Sequence, residues 1–168
     1  MFSLSDNRNK TSISSRYRLK RTIMFLELLP EKNGVYNILD VGGSSDFWKD
    51  IITEKKLQIT ILNIDDNVHE DIKVKNITFV HKVGDCRNMD FFKDKSFDAV
   101  FSNSVIEHVG TFKDQKMMAN EVIRVTNFYF IQTPNLYFPI EPHFLVPFFQ
   151  FFPLSLKVFL VKNFSRKI

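Results

Sequence analysis

The sequence predicts an α/β fold in which a doubly wound, mostly parallel sheet is covered by helices on both faces. Short apolar runs alternate with stretches of helical periodicity, which indicates right-handed crossovers between parallel strands. The run 97–101 is almost wholly apolar, as is typical of a central strand in a parallel sheet. Glycines and acidic residues follow several predicted strands, at the sheet edge where such folds bind ligands.

Length and composition point to one soluble domain. The 168 residues suffice for a core, and 44% hydrophobic with 25% charged residues is ordinary for a globular protein. The net charge of +4 comes from scattered lysines, so no nucleic-acid partner is expected. Cys86 is the one cysteine, which excludes an internal disulfide and favours a reducing, cytoplasmic setting. The polar start of the chain does not predict a secretory signal.

The N-terminal part is predicted to be a flexible segment followed by a helix. Residues 1–13 are rich in polar side chains and are expected to be loosely attached. Leu19, Ile23 and Leu26 recur at helical spacing, which predicts a helix over 14–29 that stops at a proline.

The first half of the predicted sheet contains three strands. A turn at 31–34 leads into the apolar strand Val35–Val41, and residues 45–56 are predicted as the next helix. The second and third strands are predicted at Gln58–Ile64 and Ile77–Val83. The charged stretch 66–76 between them predicts a loop or a short helix.

The second half adds two strands and one helix. The fourth strand is Phe97–Phe101, and residues 111–125 are predicted as a helix with Met118, Val122 and Val125 on one face. The fifth strand, Phe128–Gln132, is closed by a Thr-Pro-Asn turn. No clear pair of further strands follows residue 143.

A glycine turn after the first strand is the leading candidate for ligand binding. Gly42 and Gly43 allow the backbone to approach a ligand, and the following helix offers unpaired N–H groups to a carboxylate. Asp40 can attract an ammonium group, directly or through water. The alternative is a plain strand-to-helix turn.

Two further strand ends carry acidic residues. Asp65 is expected to bring a carboxylate to a ribose diol, unless it is a solvated loop acid. Asp85 can accept from an adenine amino group while the Cys86 backbone N–H meets a ring nitrogen. A helix cap or turn aspartate is the alternative for Asp85. The three positions together predict a pocket for a nucleoside joined to a zwitterionic amino acid, which fits S-adenosylmethionine.

Two runs, 84–91 and 96–109, resemble class I S-adenosylmethionine-dependent methyltransferases, and most closely the ubiquinone- and menaquinone-biosynthesis type. Residues 38–43 are similar to the first motif of that family. The resemblance implies a Rossmann-like sheet of the class I methyltransferase type, possession of S-adenosyl-L-methionine as cofactor, and methyl transfer to an O, N or C atom. The cofactor contacts that it implies are Asp40, Gly42, Gly43, Asp65, Asp85, Cys86 and Asn103.

The chain departs from the family pattern at the glycine turn. Ser44 and Asp46 stand where the family usually has further glycines. Asp46 would place a negative charge near a bound carboxylate unless it caps the helix.

Two histidines are candidate catalytic residues, because an oxygen or nitrogen acceptor can require a base that titrates near neutrality. His108 follows the fourth strand, and its alternative is a structural histidine that holds the loop. His143 lies in a proline-stiffened segment beyond the fifth strand, where a structural role is the alternative. No metal is expected, because Ser104 replaces the acid that metal-binding relatives carry three residues before Glu107.

The C-terminal segment, residues 144–168, is predicted to be separate from the methyltransferase domain at 14–143. Prolines and polar residues interrupt its apolar stretch, which favours a lid over a membrane span. Peripheral membrane contact through 144–161 is the second interpretation. Either would suit a small-molecule or lipid-linked acceptor.

A non-catalytic methyltransferase-like module remains the alternative function, with the Phe-rich C-terminal segment as a surface for a partner. A nicotinamide-dependent dehydrogenase is disfavoured, because the turn lacks the spacing Gly-x-Gly-x-x-Gly.

Overall fold

The structure is a computed structural model that describes residues 13–65, 73–135, 151–153 and 155–159. Residues Arg16–Thr133 form one compact unit, and the described residues on either side of it belong to a second unit. His143 and most of the segment 144–161 lie outside the described residues, as do residues 1–12.

The described chain alternates helices and strands as predicted. Its elements are α1 (Ile13–Leu28), β1 (Val35–Val41), α2 (Ser45–Lys49), β2 (Lys56–Asn63), β3 (Lys73–Val74), β4 (Ile77–Val83), β5 (Ala99–Asn103), a 3-10 turn (Ile106–His108), α3 (Phe112–Val125) and β6 (Tyr129–Gln132). The sheet order is β3-β4-β2-β1-β5-β6. All pairs are parallel except β3 with β4. This order confirms the predicted doubly wound α/β fold.

Each face of the sheet carries its own hydrophobic core, because side chains alternate along a strand. Ile38 points into the core that contains Phe25 of α1 and Trp48 of α2. Its neighbour Leu39 belongs to the opposite core, which contains Met118 of α3. Met118, Val122 and Val125 are all buried, so the predicted inner face of α3 is confirmed.

An aromatic cluster tethers α1 and α2 to the sheet. The ring of Phe25 lies 5.1 Å from that of Phe101, and the rings of Phe47 and Phe101 stack at 6.2 Å. Trp48 meets Phe101 edge-on at 5.3 Å. Aromatic pairs at these separations add to the free energy gained by area burial alone. The cluster fixes α2 beside the end of β1.

The predicted helix over 45–56 is wrong in its length, since α2 ends at Lys49. Asp50 closes it with a backbone N–H bond to the carbonyl of Trp48. The next residues, Ile51, Ile52 and Thr53, are β-branched, and their restricted χ1 angles disfavour helical continuation. Ile51 is instead buried in the core.

The charged stretch predicted as a loop or a short helix contains the short antiparallel strand β3, which pairs with the start of β4. Lys75 takes a left-handed conformation, with φ of 54°, in the turn that joins these strands. Residues 66–72 lie outside the described part of the chain.

In the second unit, residues 155–159 are helical, and the backbone N–H of Lys157 donates to the carbonyl of Pro153 at 3.0 Å. Within the described residues, no strand follows β6. None of the described helices is both long and apolar enough to cross a membrane.

Arg124 joins the C-terminal end of α3 to the loop after β4. Its guanidinium donates to the backbone carbonyls of Met89 at 2.7 Å and Phe92 at 2.8 Å. It also pairs with the carboxylates of Glu121 and Asp94, each at 2.8 Å. The Glu121 carboxylate in turn accepts the backbone N–H of Met89 at 2.6 Å.

We expect Arg124→Met to lower the free energy of unfolding by about 2 kcal/mol. The substitution removes the donor that two backbone carbonyls and the Glu121 carboxylate share. Urea unfolding followed by circular dichroism measures this change. Lys116→Met on the exposed part of the same helix is the matched control and should shift stability by less than about 0.5 kcal/mol. Equal stability of the two variants would contradict the assigned role of Arg124.

Candidate functional site

The carboxyl ends of four parallel strands bring the candidate residues to one edge of the sheet. The ladder continues past the strands: the N–H of Gly42 donates to the carbonyl of Leu62 at 2.8 Å, and that of Gly84 to Asn63 at 2.9 Å. The candidate residues after β1, β2, β4 and β5 therefore share the edge where α/β sheets bind ligands.

The glycine turn between β1 and α2 has no room for side chains. Gly42 has φ of 72°, and a Cβ built on it would lie 2.5 Å from Cγ2 of Val105. A Cβ on Gly43 would overlap the carboxylate of Asp40. The carbonyl of Gly43 accepts the Nδ2 donor of Asn63 at 3.1 Å, which ties the turn to the end of β2. The turn is thus held in place by the packing of Asp40 and Val105 and by the hydrogen bond from Asn63.

Asp40 lies beneath this turn and is only 1% exposed. Its Oδ2 accepts the indole N–H of Trp48 at 2.6 Å. Burial raises the pKa of this carboxyl to about 7 from an ordinary value of 3.8, and the Trp48 hydrogen bond offsets part of the shift. Asp40 positions the turn and α2 in this structure. Its expected contact with a ligand ammonium stays a prediction.

The two departures from the family pattern have local roles in α2. Ser44 is the N-cap, and its hydroxyl accepts the backbone N–H of Asp46 at 3.3 Å. The Asp46 carboxylate is 78% exposed and pairs with Lys49 at 2.7 Å. Asp46 therefore lies in the first helical turn, where a negative charge is favourable.

The two predicted acids differ in how they are held. Asp65 lies two residues beyond the end of β2 and is exposed. Asp85 lies two residues beyond β4, and its carboxylate accepts the backbone N–H of Arg87 at 2.8 Å and its Nη2 at 2.6 Å. The side-chain bond from Arg87 holds the pKa of Asp85 below its usual range. The turn-aspartate alternative is thus realised, while the adenine contact stays a prediction.

Arg87 was not singled out from the sequence, although it stands two residues after Asp85. Its Nη1 also bonds Oδ1 of Asp114 at 3.2 Å, which links the loop after β4 to the first turn of α3. Cys86 between these residues is half-buried in the core, and burial raises the pKa of its thiol. The side chain of Cys86 is therefore a packing group, and the expected contact of its backbone N–H with a ring nitrogen stays a prediction.

Asn103 ends β5 and contacts an arginine that lies 82 residues earlier in the chain. Its Oδ1 accepts Nη2 of Arg21 in α1 at 3.1 Å. An arginine in an N-terminal helix carries no motif that marks it, so the sequence alone does not predict a role for Arg21. The structure thus adds α1 to the elements that meet the carboxyl edge.

The segment after β5 carries the first candidate base. His108 is exposed in the 3-10 turn, and its backbone N–H donates to the carbonyl of Val105 at 2.8 Å. Ser104 has φ of 59°, and Glu107 accepts the Thr133 hydroxyl at 3.0 Å. Among the described residues, no three His, Cys, Asp or Glu side chains gather as metal ligands would. His143 lies outside those residues.

Two uncharacterized proteins of Mycobacterium tuberculosis, from different strains, share a segment with this chain. Each is 36% identical over 67 residues, which cover 40% of this chain and 23% of theirs. The chain therefore spans less than a quarter of the length of these relatives.

Phosphoethanolamine N-methyltransferase 2 of Haemonchus contortus has a similar structure. Its complex with S-adenosyl-L-methionine matches with a TM-score of 0.51 and 14% identity, over 97% of this chain and 40% of that one. Its complex with phosphomonomethylethanolamine and S-adenosylhomocysteine gives the same values. At this identity the likeness establishes the fold: a Rossmann-like, mostly parallel α/β sheet of the class I methyltransferase type.

The family described as "Methyltransferase domain" matches residues 39–127, more than half of the chain. The match begins within β1, contains the glycine turn and the ends of β2, β4 and β5, and finishes after α3. The chain thus belongs to the methyltransferase domain family.

Proposed function

We propose that this chain is the cofactor-binding domain of an S-adenosylmethionine-dependent methyltransferase that acts on a small or lipid-linked acceptor. The observation that supports this most is the placement of Gly42, Asp65, Asp85 and Asn103 at or just beyond the ends of four strands that end at one edge. Four separate segments then contribute to one ligand site in a fold whose family carries out methyl transfer.

The residues at this edge suit the cofactor chemically. The exposed backbone of Gly42 permits close approach, and the exposed carboxylate of Asp65 offers two acceptors to a ribose diol. Among the described residues, no hydrogen bond or ion pair occupies the Asp65 carboxylate. The Asp85 carboxylate is held in place by Arg87, which preorganises it for a donor from an adenine ring. The backbone N–H of Cys86 is the proposed partner of a ring nitrogen.

The chain contributes alignment more than proton transfer. When bound, the cofactor would supply an activated methyl group: the acceptor atom would bond to the methyl carbon as the bond from that carbon to sulfur breaks in line, and S-adenosylhomocysteine would leave. Fixing both reactants in that geometry accounts for much of the rate in such reactions. The glycine turn, which is held by Asp40, Trp48 and Asn63, is proposed to fix the cofactor. Asn103 at the end of β5 and the Ser104 backbone just beyond it are proposed to contact the amino-acid end of the cofactor.

The proposal also names the residues that would serve the methyl acceptor. His108 is the proposed base for an oxygen or nitrogen acceptor, since it follows β5 and is exposed. His143 is proposed for the same role from the segment after β6. The C-terminal segment 144–168 is proposed as a lid, with peripheral contact to lipid through 144–161 as the alternative. Aromatic side chains exposed there, among them Phe151 and Phe159, suit an apolar acceptor.

Calorimetric titration with S-adenosylhomocysteine tests the proposal. We expect saturable binding by the wild-type chain, and at least a tenfold loss of affinity in Asp65→Ala, because two hydrogen bonds to a charged acceptor are removed. Glu31→Ala is the matched control, since it removes an exposed acid that precedes β1 at the opposite edge. No heat and no thermal stabilisation at millimolar ligand would end the proposal. Equal loss in both variants would show that general charge, and not Asp65, matters.

A further inference from the structure

Two arginines of α1 lie at the carboxyl edge on one face of the helix. Arg18 and Arg21 are three residues apart, which places them on neighbouring positions of the same helical face. The guanidinium of Arg18 lies over the ring of Phe47 in α2, 5.5 Å from its centroid. Nη2 of Arg21 donates to Asn103 at the end of β5. The pair therefore connects α2, the helix that follows the glycine turn, with the end of β5.

Both guanidinium groups are partly withdrawn from water, and no acid among the described residues pairs with them. Burial lowers the pKa of each, and the charge of Arg18 lowers that of Arg21 further. Nε of Arg21 is buried and has no hydrogen-bond partner among the described residues. No described Asp or Glu forms an ion pair with either arginine. A desolvated cation with an unused donor is unfavourable unless an anion completes it.

The glycine turn does not itself supply a strong anion site. Helix α2 has five residues, its first turn contains Asp46, and the Ser44 hydroxyl already takes up one of its N–H groups. A guanidinium, in contrast, presents parallel donors that match a carboxylate or a phosphate. Among the described residues, Arg18 and Arg21 of α1 place positive charge beside α2 and the end of β5.

We infer that Arg21, positioned by Asn103 and flanked by Arg18, is the binding site for a carboxylate or phosphate group of a ligand held at the carboxyl edge. The inference rests on the proposed function, which places a cofactor at that edge. The anion has two sources with the same chemistry: the carboxylate of the cofactor's amino-acid end, or an acidic group on the acceptor.

Arg21→Gln separates these sources when tested with two adenosyl ligands. S-adenosylhomocysteine carries the amino-acid carboxylate, and 5′-methylthioadenosine lacks it. If the cofactor supplies the anion, Arg21→Gln should weaken S-adenosylhomocysteine by about 10- to 100-fold and leave 5′-methylthioadenosine unchanged. Arg16→Gln is the matched control, because Arg16 is an exposed arginine of the same helix. It should change neither affinity.

If the acceptor supplies the anion, S-adenosylhomocysteine affinity should be unchanged in Arg21→Gln. Inorganic phosphate should then stabilise the wild-type chain against heat, and not the variant. Unchanged affinity together with equal phosphate stabilisation would overturn the inference. Should Arg21→Gln fail to fold, Arg21→Lys keeps the charge without the paired donors, and undiminished binding of both probes by it would also overturn the inference.

The two proposals fail in different ways. If the wild-type chain binds neither adenosyl ligand, the cofactor proposal fails, while phosphate stabilisation still reports on Arg21. If the wild-type chain binds both ligands and Arg21→Gln matches it in every measurement, only the anion site is lost.

Discussion

Gly43→Ala is expected to lower the free energy of unfolding by about 3 kcal/mol and to abolish measurable binding of S-adenosylhomocysteine. The added Cβ would overlap the Asp40 carboxylate, with Oδ1 at 2.5 Å and Oδ2 nearer. The Asp40 side chain is short, buried and bonded to Trp48 at 2.6 Å, so a change of its rotamer would break that hydrogen bond. The turn must therefore move, and the backbone that faces the ligand moves with it.

Urea unfolding and calorimetric titration of the same sample measure both effects. Gly34→Ala is the matched control: it also has a positive φ, of 104°, but its Cβ would meet nothing within 4 Å. That control should lose about 1 kcal/mol from backbone strain alone and keep its affinity. A Gly43→Ala variant as stable as Gly34→Ala, with intact binding, would contradict the packing described for the turn.

The free energy of unfolding should fall with rising pH through the titration of Asp40. The pKa of this carboxyl is about 7 in the fold and 3.8 ordinarily, because burial disfavours its charged form. Between these values the unfolded chain has lost a proton that the folded chain keeps, so stability decreases as pH rises. The contribution is fully present below pH 3.8 and lost above pH 7. The rise of this pKa from 3.8 to about 7 corresponds to about 4 kcal/mol.

Asp40→Asn isolates this contribution, since an amide oxygen can still accept the Trp48 N–H and cannot ionise. The difference in unfolding free energy between the variant and the wild type should grow from pH 4 to pH 7 in favour of the variant. Taking the difference matters because the pKa values of Asp85, Asp114 and Glu121 are lowered by their partners. Those acids stabilise the fold as pH rises from acid values. Parallel stability curves for the two proteins would refute the assignment.

Secondary structure was predictable where local pattern and burial agree. The strands Val35–Val41 and Ile77–Val83 have the predicted bounds, because apolar runs were flanked by turn residues. The helix Phe112–Val125 has a capping box at Thr111 and a strong apolar face, both readable from sequence. The predicted helix after the glycine turn is too long, because its end depends on the packing of Ile51 in the core.

The site was predictable as a set of strand ends, though not in its supporting contacts. Gly42, Asp65 and Asp85 can be predicted from the sequence because each follows an apolar strand by one or two residues. Asp40 shares the strand face of Ile38, so alternation could have indicated its burial. The partner Trp48 and the contact of Arg21 with Asn103 arise from tertiary packing. No local pattern records such long-range pairs.

A crystal structure grown with saturating S-adenosylhomocysteine tests most directly whether one ligand spans the four strand ends. We predict density along the carboxyl edge, with the ribose oxygens within hydrogen-bond distance of Asp65, the adenine beside Asp85 and the amino-acid end near the glycine turn. Ligand density elsewhere, or Asp65 and Asp85 opening onto separate cavities, would contradict the account.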